Sequence, residues 1–151
     1  MNADALLEVY TAGVIDRLGK DTTTSTSELR DYGVRNFSPT AFLGVYPADV
    51  TPERTRHKCF YISNTVDADH PSGGEHWVAV GREPGRKDLV FDSYGRKPSA
   101  TFLPRLRHAA STDPDVNQSM ESTRCGQLCL GWGHIFMRHP WRAGRHVKTV
   151  M

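Results

Sequence analysis

The sequence predicts a single α+β domain, residues 1–151, in which a small mixed or antiparallel sheet packs against a central helix with a cysteine at its N-terminus. The chain's 151 residues suit one compact domain. Apolar residues recur at helical spacing between Cys125 and Phe136, which predicts the central helix. Three runs rich in aromatic and β-branched residues are typical of strands: 57–64, 76–83 and 87–94.

The N-terminal third is predicted to be one long helix followed by less regular structure. Residues 3–19 form an amphipathic helix that stops at Gly19, because four apolar residues share one face: Leu7, Tyr10, Val14 and Leu18. Residues 20–33 are polar and predict a loop into a short helical turn with Ser27 as its N-cap. Prolines and a glycine punctuate 36–49, which predicts irregular or short extended structure.

The remaining elements follow from turn signals and periodicity. A Pro-Gly-Arg turn joins 76–83 to 87–94, so we expect these two strands to form a β-hairpin. Residues 98–110 predict a short helix around Pro104, and 111–119 predict a loop that touches the sheet at Val116. Two glycines inside the last helix lower its intrinsic propensity, so burial must stabilise it.

Composition excludes several classes of protein. The chain is 38% hydrophobic and 24% charged, as in ordinary globular domains. It has no run of 18 apolar residues, so we expect no membrane-spanning segment, and its N-terminus lacks the features of a secretory signal. Its three cysteines do not suit a disulfide framework, and we expect an intracellular, reducing compartment and a monomer.

Charge is unevenly distributed along the chain. After Glu121 there are five basic residues and no acidic one, whereas the rest of the chain has 14 basic and 17 acidic residues. A basic C-terminal region can contact DNA or an acidic partner. It can equally be a solvated helix end and tail, and the charge pattern leaves both interpretations open.

Cys125 is the candidate nucleophile because it stands at the start of the last predicted helix. Unpaired N–H groups at a helix N-terminus favour a thiolate, which is the reactive form of cysteine. Gly126 leaves the approach to it unobstructed. A free cysteine is also a common small core residue, and Cys129, one turn further into the apolar stripe, is assigned to the core.

His76 and Asp92 are the candidate base and its orienting partner. His76 opens an apolar strand directly after a glycine-rich loop, and Asp92 lies near the end of the strand expected to pair with it. An aspartate in an apolar strand is costly unless it is paired, and a hydrogen bond to His76 would satisfy it. Each residue alone also has a structural explanation, as a strand edge or a turn.

Acyl transfer further needs hydrogen-bond donors for a developing oxyanion. The backbone N–H of Cys125 is one, and the side-chain amide of Gln118, in the loop that enters the helix, is the second candidate. Cys125, Cys129, His134 and His139 lie near one another in sequence but lack metal-ligand spacing, so we expect no metal site.

Three segments, "GEHWVAV", "LVFDSYG" and "NQSMESTRCGQLCLGWGHIF", resemble the adenovirus protease (adenain) family of cysteine peptidases, which share a clan with the SUMO-specific proteases. The family's residue order falls here on His76-Trp77, Asp92, Gln118 and Cys125-Gly126. The segment "AFLGVYPAD" also resembles a stretch that precedes the family's substrate cleft. Unlike the adenovirus enzyme, the chain has Asp in place of Glu and no cysteine between Cys59 and Cys125 to hold a disulfide-linked activator.

The resemblance implies cleavage after glycine in viral precursor proteins during virion maturation, in the host nucleus and virion. It also implies DNA or a peptide as an activator, although the residues themselves require no cofactor. A narrow cleft would admit only a residue without Cβ, and Trp77 is a candidate wall of that cleft, with Gly126 beside the nucleophile. Trp77 is equally explained as a core residue.

Other functions fit the same residues. The same clan includes isopeptidases that remove ubiquitin-like proteins, and acyl transfer to protein side chains uses the same triad. A non-enzymatic DNA-binding or scaffold module that keeps an inert relic of the fold is a further alternative, suggested by the basic C-terminal region.

Overall fold

The computed structural model describes residues 3–64, 76–93, 110–112, 124–139 and 147–149. These residues form three helices and one six-stranded mixed sheet, with strands ordered β1 to β6. β1–β2 and β4–β5 are parallel, and β2–β3, β3–β4 and β5–β6 are antiparallel. The elements are α1 (Ala3–Leu18), α2 (Thr26–Asn36), β1 (Phe42–Tyr46), β2 (Cys59–Asn64), β3 (Trp77–Arg82), β4 (Leu89–Phe91), β5 (Ala110–Thr112), α3 (Cys125–Arg138) and β6 (Val147–Thr149).

The predicted α+β class is confirmed, as is a helix that begins at Cys125. The three predicted strands are present as β2, β3 and β4, and β3 pairs with β4 as an antiparallel hairpin. The irregular segment 36–49 contains β1, which pairs in parallel with β2 and changes register near Gly44, whose φ is +133°. In the described part of the chain, no helix is long and apolar enough to span a membrane.

The structure corrects two predictions about local elements. The short turn expected after residue 20 is the eleven-residue helix α2, and its N-cap is Ser25 rather than Ser27. Ser25 Oγ accepts the Glu28 N–H at 3.1 Å while Glu28 Oε1 accepts the Ser25 N–H at 3.0 Å, so two unpaired donors of the first turn are satisfied together. Ala110–Thr112 form β5, where the end of a helix and the start of a loop were expected; residues 98–109 and 113–119, with Val116, lie outside the described residues.

Helix α3 lies between α1 and the sheet, so nearly every side of it is covered. Its residues from Cys125 to Phe136 are all buried, and this burial compensates for the low helix propensity of its glycines. Gly131 meets α1: a Cβ there would overlap Thr11 Oγ1 and lie 3.1 Å from the Thr11 backbone nitrogen. Glycine at this position therefore permits close contact between two helices.

Replacing Gly131 should destabilise the domain even though alanine is the better helix former. Gly131→Ala should lower the free energy of unfolding by roughly 1–3 kcal/mol, because the Thr11 backbone must move. Gly13→Ala is the matched control: Gly13 lies inside α1 with open space around its Cα, so it should gain roughly 0.5–1 kcal/mol. Urea denaturation measures the free energy of unfolding of both variants. Equal changes in the two variants would contradict the close contact between Gly131 and Thr11.

His134, on α3, is enclosed by aromatic rings. Its side chain is almost fully buried and its ring centroid lies 5.6 Å from that of Tyr10 and 4.4 Å from that of Phe37. Arg17 donates to the Tyr32 hydroxyl at 3.0 Å, so that hydroxyl is oriented to donate to His134 Nε2 at 2.8 Å. Burial lowers the pKa of His134 to about 4, and the positive charges of Arg138 and Arg17 act in the same direction.

The His134 environment predicts a loss of stability at mildly acidic pH. The unfolded chain binds a proton on this ring below about pH 6.5 and the fold does so only below about pH 4, so stability falls as pH decreases between these values. The loss should be about 3 kcal/mol. His134→Gln, which keeps an acceptor for Tyr32 but does not titrate, should flatten this part of the stability profile.

Chemical denaturation between pH 4 and pH 7 provides the measurement. His57→Gln is the control, because His57 is an exposed histidine outside the core. If the free energy of unfolding of His134→Gln falls with decreasing pH as steeply as that of wild type, His134 is not the origin of the loss.

Candidate active site

His76 and Asp92 form a buried hydrogen-bonded pair at one end of the β3–β4 hairpin. His76 directly precedes β3 and Asp92 directly follows β4, and antiparallel pairing places these two strand ends side by side. His76 Nε2 lies 2.6 Å from Asp92 Oδ1, and the two side chains are only 2% and 8% exposed. An ionisable pair this deeply buried is stable only because each partner satisfies the other.

Cys125 is brought to this pair by helix α3. It is the first residue of the helix, and its N-cap residue, Arg124, provides no side-chain cap. No acidic residue lies in the first turn. One turn later, the Cys129 thiol is 3.4 Å from the Trp77 carbonyl oxygen and donates to it, which ties α3 to the residue next to His76.

The pKa of His76 reflects both neighbours. Burial by itself lowers this pKa, but hydrogen bonds to Asp92 and Cys125 and the negative charges on those two groups outweigh it, so the pKa is raised overall. Asp92 takes Nε2. The interaction of the ring with the Cys125 thiol is therefore assigned to Nδ1. The raised pKa favours a protonated imidazole at this position.

The three cysteines occupy different environments, and none forms a disulfide. Burial raises the pKa of the Cys129 thiol well above its ordinary value, with the negative charges of Cys125 and Asp92 acting in the same direction. Burial also raises the pKa of Cys59, whose sulfur lies 3.8 Å from Thr55 Oγ1. The assignment of Cys129 to the core is confirmed by its complete burial, and its thiol hydrogen bond gives it a positioning role as well.

The other predicted site residues are Trp77, Gly126 and Gln118, and the structure describes the first two as packed residues. Trp77 is buried in the same apolar cluster as Cys125, and its role as a cleft wall stays a prediction. Gly126 has a packing reason: a Cβ there would overlap Thr24 Oγ1 and lie 2.9 Å from Leu29 Cδ2. A substrate contact by Gly126 also stays a prediction. Gln118 lies outside the described residues.

Sequence reasoning missed one polar residue beside the nucleophile. Gln127 is fully buried in the first turn of α3, where its Nε2 donates to the carbonyl oxygens of Lys20 at 3.2 Å and Thr22 at 2.8 Å. The available signal was a long polar side chain inside an otherwise apolar helix segment. Its partners lie more than 100 positions away in sequence, so the pattern around it could not reveal them.

The predicted DNA-contacting region is described only in part. Arg124 pairs with Asp21 at 3.2 Å, and the Arg138 guanidinium lies 5.8 Å from the Tyr10 ring centroid. Arg142 and Arg145 lie outside the described residues, so contact with DNA stays a prediction. No three His, Cys, Asp or Glu side chains in the described ranges are grouped as a metal site requires.

Comparison with known proteins adds no assignment. No protein-family model matches the chain, and no curated protein matches it in sequence.

Replacing Asp92 should change the titration of His76. Asp92→Asn should lower the pKa of His76, because the aspartate contributes both a hydrogen bond and a negative charge that raise it. NMR titration of labelled histidine rings, with Cys125→Ala in both proteins to keep the thiol contribution constant, measures the difference. Asp16→Asn, an exposed aspartate on α1, is the control. An unchanged His76 titration in Asp92→Asn would contradict the pairing.

Proposed function

We propose that the chain is a cysteine endopeptidase in which Cys125 is the nucleophile, His76 is the general base and acid, and Asp92 orients His76. One observation carries the proposal: the buried 2.6 Å His76–Asp92 hydrogen bond forms beside a cysteine at the start of a helix. An imidazole held by a carboxylate at one nitrogen and interacting with a cysteine thiol has the arrangement that thiol activation requires.

The start of α3 adds electrostatic support to this proposal. A helix N-terminus carries a partial positive charge, which a capping side chain or an acidic residue in the first turn normally balances. Neither is provided by Arg124 or by the first turn of α3. A negative charge that develops on Cys125, or on a substrate oxygen near its N–H, would complement this end of the helix.

The reaction follows from the placement of these groups. The Cys125 proton passes to His76, and the sulfur attacks the carbonyl carbon of the scissile bond to form a tetrahedral intermediate. The intermediate collapses as the C–N bond breaks, and the leaving amine takes the proton from His76. A water molecule then gives a proton to His76 and attacks the thioester, which releases the carboxylic acid and the thiol. The Cys125 N–H, and Gln118 by resemblance, would donate to the oxyanion in both halves.

The more specific parts of the proposal rest on the resemblance to the adenain family. These parts are the adenain-like fold, cleavage after glycine, viral precursors as substrates, virion maturation, and DNA or a peptide as activator. A ubiquitin-like isopeptidase is the runner-up, because the same residues would serve it. The two differ in how much of the substrate is recognised, so their rates on short peptides and on intact ubiquitin-like conjugates separate them.

Removing the thiol should abolish cleavage. Cys125→Ala should reduce kcat/KM on a fluorescence-quenched library of glycine-containing peptides by roughly 10³-fold or more, because no other group can form the acyl-enzyme. Cys59→Ala is the matched control: it also removes a buried thiol, but one on β2 opposite Arg82, at the end of β3 remote from His76.

The control should retain the wild-type rate if it folds. Cleavage by Cys125→Ala at the wild-type rate would show that this thiol is not the nucleophile. Wild-type protein that cleaves neither peptides nor ubiquitin-like conjugates, with DNA present or absent, would favour the non-enzymatic alternative.

A further inference from the structure

The N-terminal half of α3 is held from two sides. On one side, the Cys129 thiol donates to the Trp77 carbonyl of β3. On the other, Gln127 Nε2 donates to the Lys20 and Thr22 carbonyls of the segment 19–25, which joins α1 to α2 and is called the α1–α2 loop below. Residues two apart in a helix point in directions that differ by about 200°, so Gln127 and Cys129 hold nearly opposite faces of the helix.

Two more contacts join the α1–α2 loop to residues next to Cys125. Arg124 Nη2 lies 3.2 Å from Asp21 Oδ2 at the surface. On the other side of Cys125 in the sequence, Gly126 approaches Thr24 so closely that a Cβ would overlap Thr24 Oγ1. Thus three of the residues around the nucleophile, at positions 124, 126 and 127, contact this one loop.

The buried side chain of Gln127 carries a free-energy cost at its position. Its side chain is fully buried, and its Oε1 has no hydrogen-bond partner in the described structure. An unsatisfied buried acceptor costs about 1–3 kcal/mol, which offsets much of what the two Nε2 hydrogen bonds contribute to stability. Stability alone does not explain an amide here. The directed bonds to two carbonyl oxygens do, because they fix the position of the helix relative to the loop.

We infer that Gln127 is a positioning residue for Cys125: it braces the first turn of α3 against the α1–α2 loop and thereby keeps Sγ directed at His76. This inference rests on the proposed role of Cys125 and extends it to a residue that touches neither the substrate nor His76. Displacement of a reacting group by about 1 Å can cost on the order of 100-fold in rate. The brace therefore acts on the reactivity of the thiol more than on the binding of substrate.

The test compares Gln127→Met with wild type and with Asn36→Leu. Methionine keeps the length of the side chain and removes its hydrogen bonds. Asn36→Leu is the matched control, because it removes another amide-to-carbonyl hydrogen bond, from Asn36 Nδ2 to the Tyr32 oxygen at 2.8 Å, at the C-terminal end of α2. The first readout is the alkylation rate of Cys125 by iodoacetamide at pH 7, followed by mass spectrometry. The second is the NMR titration of His76.

The expected results are specific to Gln127. Alkylation of Cys125 should slow by about ten-fold or more in Gln127→Met and stay within about two-fold of wild type in Asn36→Leu. The pKa of His76 should fall in Gln127→Met only, because the contribution of Cys125 to it is lost. In peptide cleavage, kcat should fall while KM stays within about two-fold of wild type.

If Gln127→Met does not fold, insertion of one glycine after Thr22 releases the same contact from the loop side, and a surface loop tolerates it. Alkylation within two-fold of wild type, or faster than wild type, in a folded variant would overturn the inference. So would an equal loss in Asn36→Leu. Alkylation requires no peptidase activity, so absence of cleavage by wild type would count against the proposed function and leave this test of Gln127 intact.

Discussion

The buried hydrogen bond between His76 and Asp92 is the constraint on which the site depends. Neither group is stable in the interior without the other, so the end of the β3–β4 hairpin must keep the register that brings them together. The same bond commits Nε2 of the imidazole to the carboxylate, which leaves Nδ1 for the interaction with Cys125. In the proposed mechanism, the pairing of β3 with β4 thus decides which ring nitrogen takes the proton from Cys125.

Helix α3, which begins at Cys125, packs closely against its neighbours at its glycines. Gly126, Gly131 and Gly133 face Thr24, Thr11 and Phe60 so closely that a side chain at any of them would displace its neighbour. Each glycine weakens the isolated helix, and burial between α1 and the sheet compensates. The result is a helix whose axial position is fixed by the packing on both sides. Cys129 and Gln127 then fix its N-terminal half with directed hydrogen bonds.

The sequence predicted the parts of this structure that depend on local pattern. Apolar runs rich in aromatic and β-branched residues, with a turn signal, identified β2, β3 and β4, and helical spacing identified α1 and α3. The partnership of His76 with Asp92 followed because strand pairing converts two sequence positions into neighbours. The extent of α2 was missed, although Ser25 and Glu28 have the spacing of a capping box. Strand β1 was not assigned because prolines and a glycine obscure it, and parallel pairing leaves no hairpin signal. Gln127 could not be found, since its partners are distant backbone carbonyls that any residue supplies.

Activation of Cys125 by His76 can be measured with a peptide that carries an electrophilic vinyl sulfone in place of its C-terminal glycine carboxylate. Intact mass spectrometry and peptide mapping identify which thiol it modifies. We expect one adduct, on Cys125, which forms in the folded wild type and is slowed strongly by His76→Ala. An adduct that forms at the same rate without His76, or one distributed over Cys59, Cys125 and Cys129, would contradict this activation.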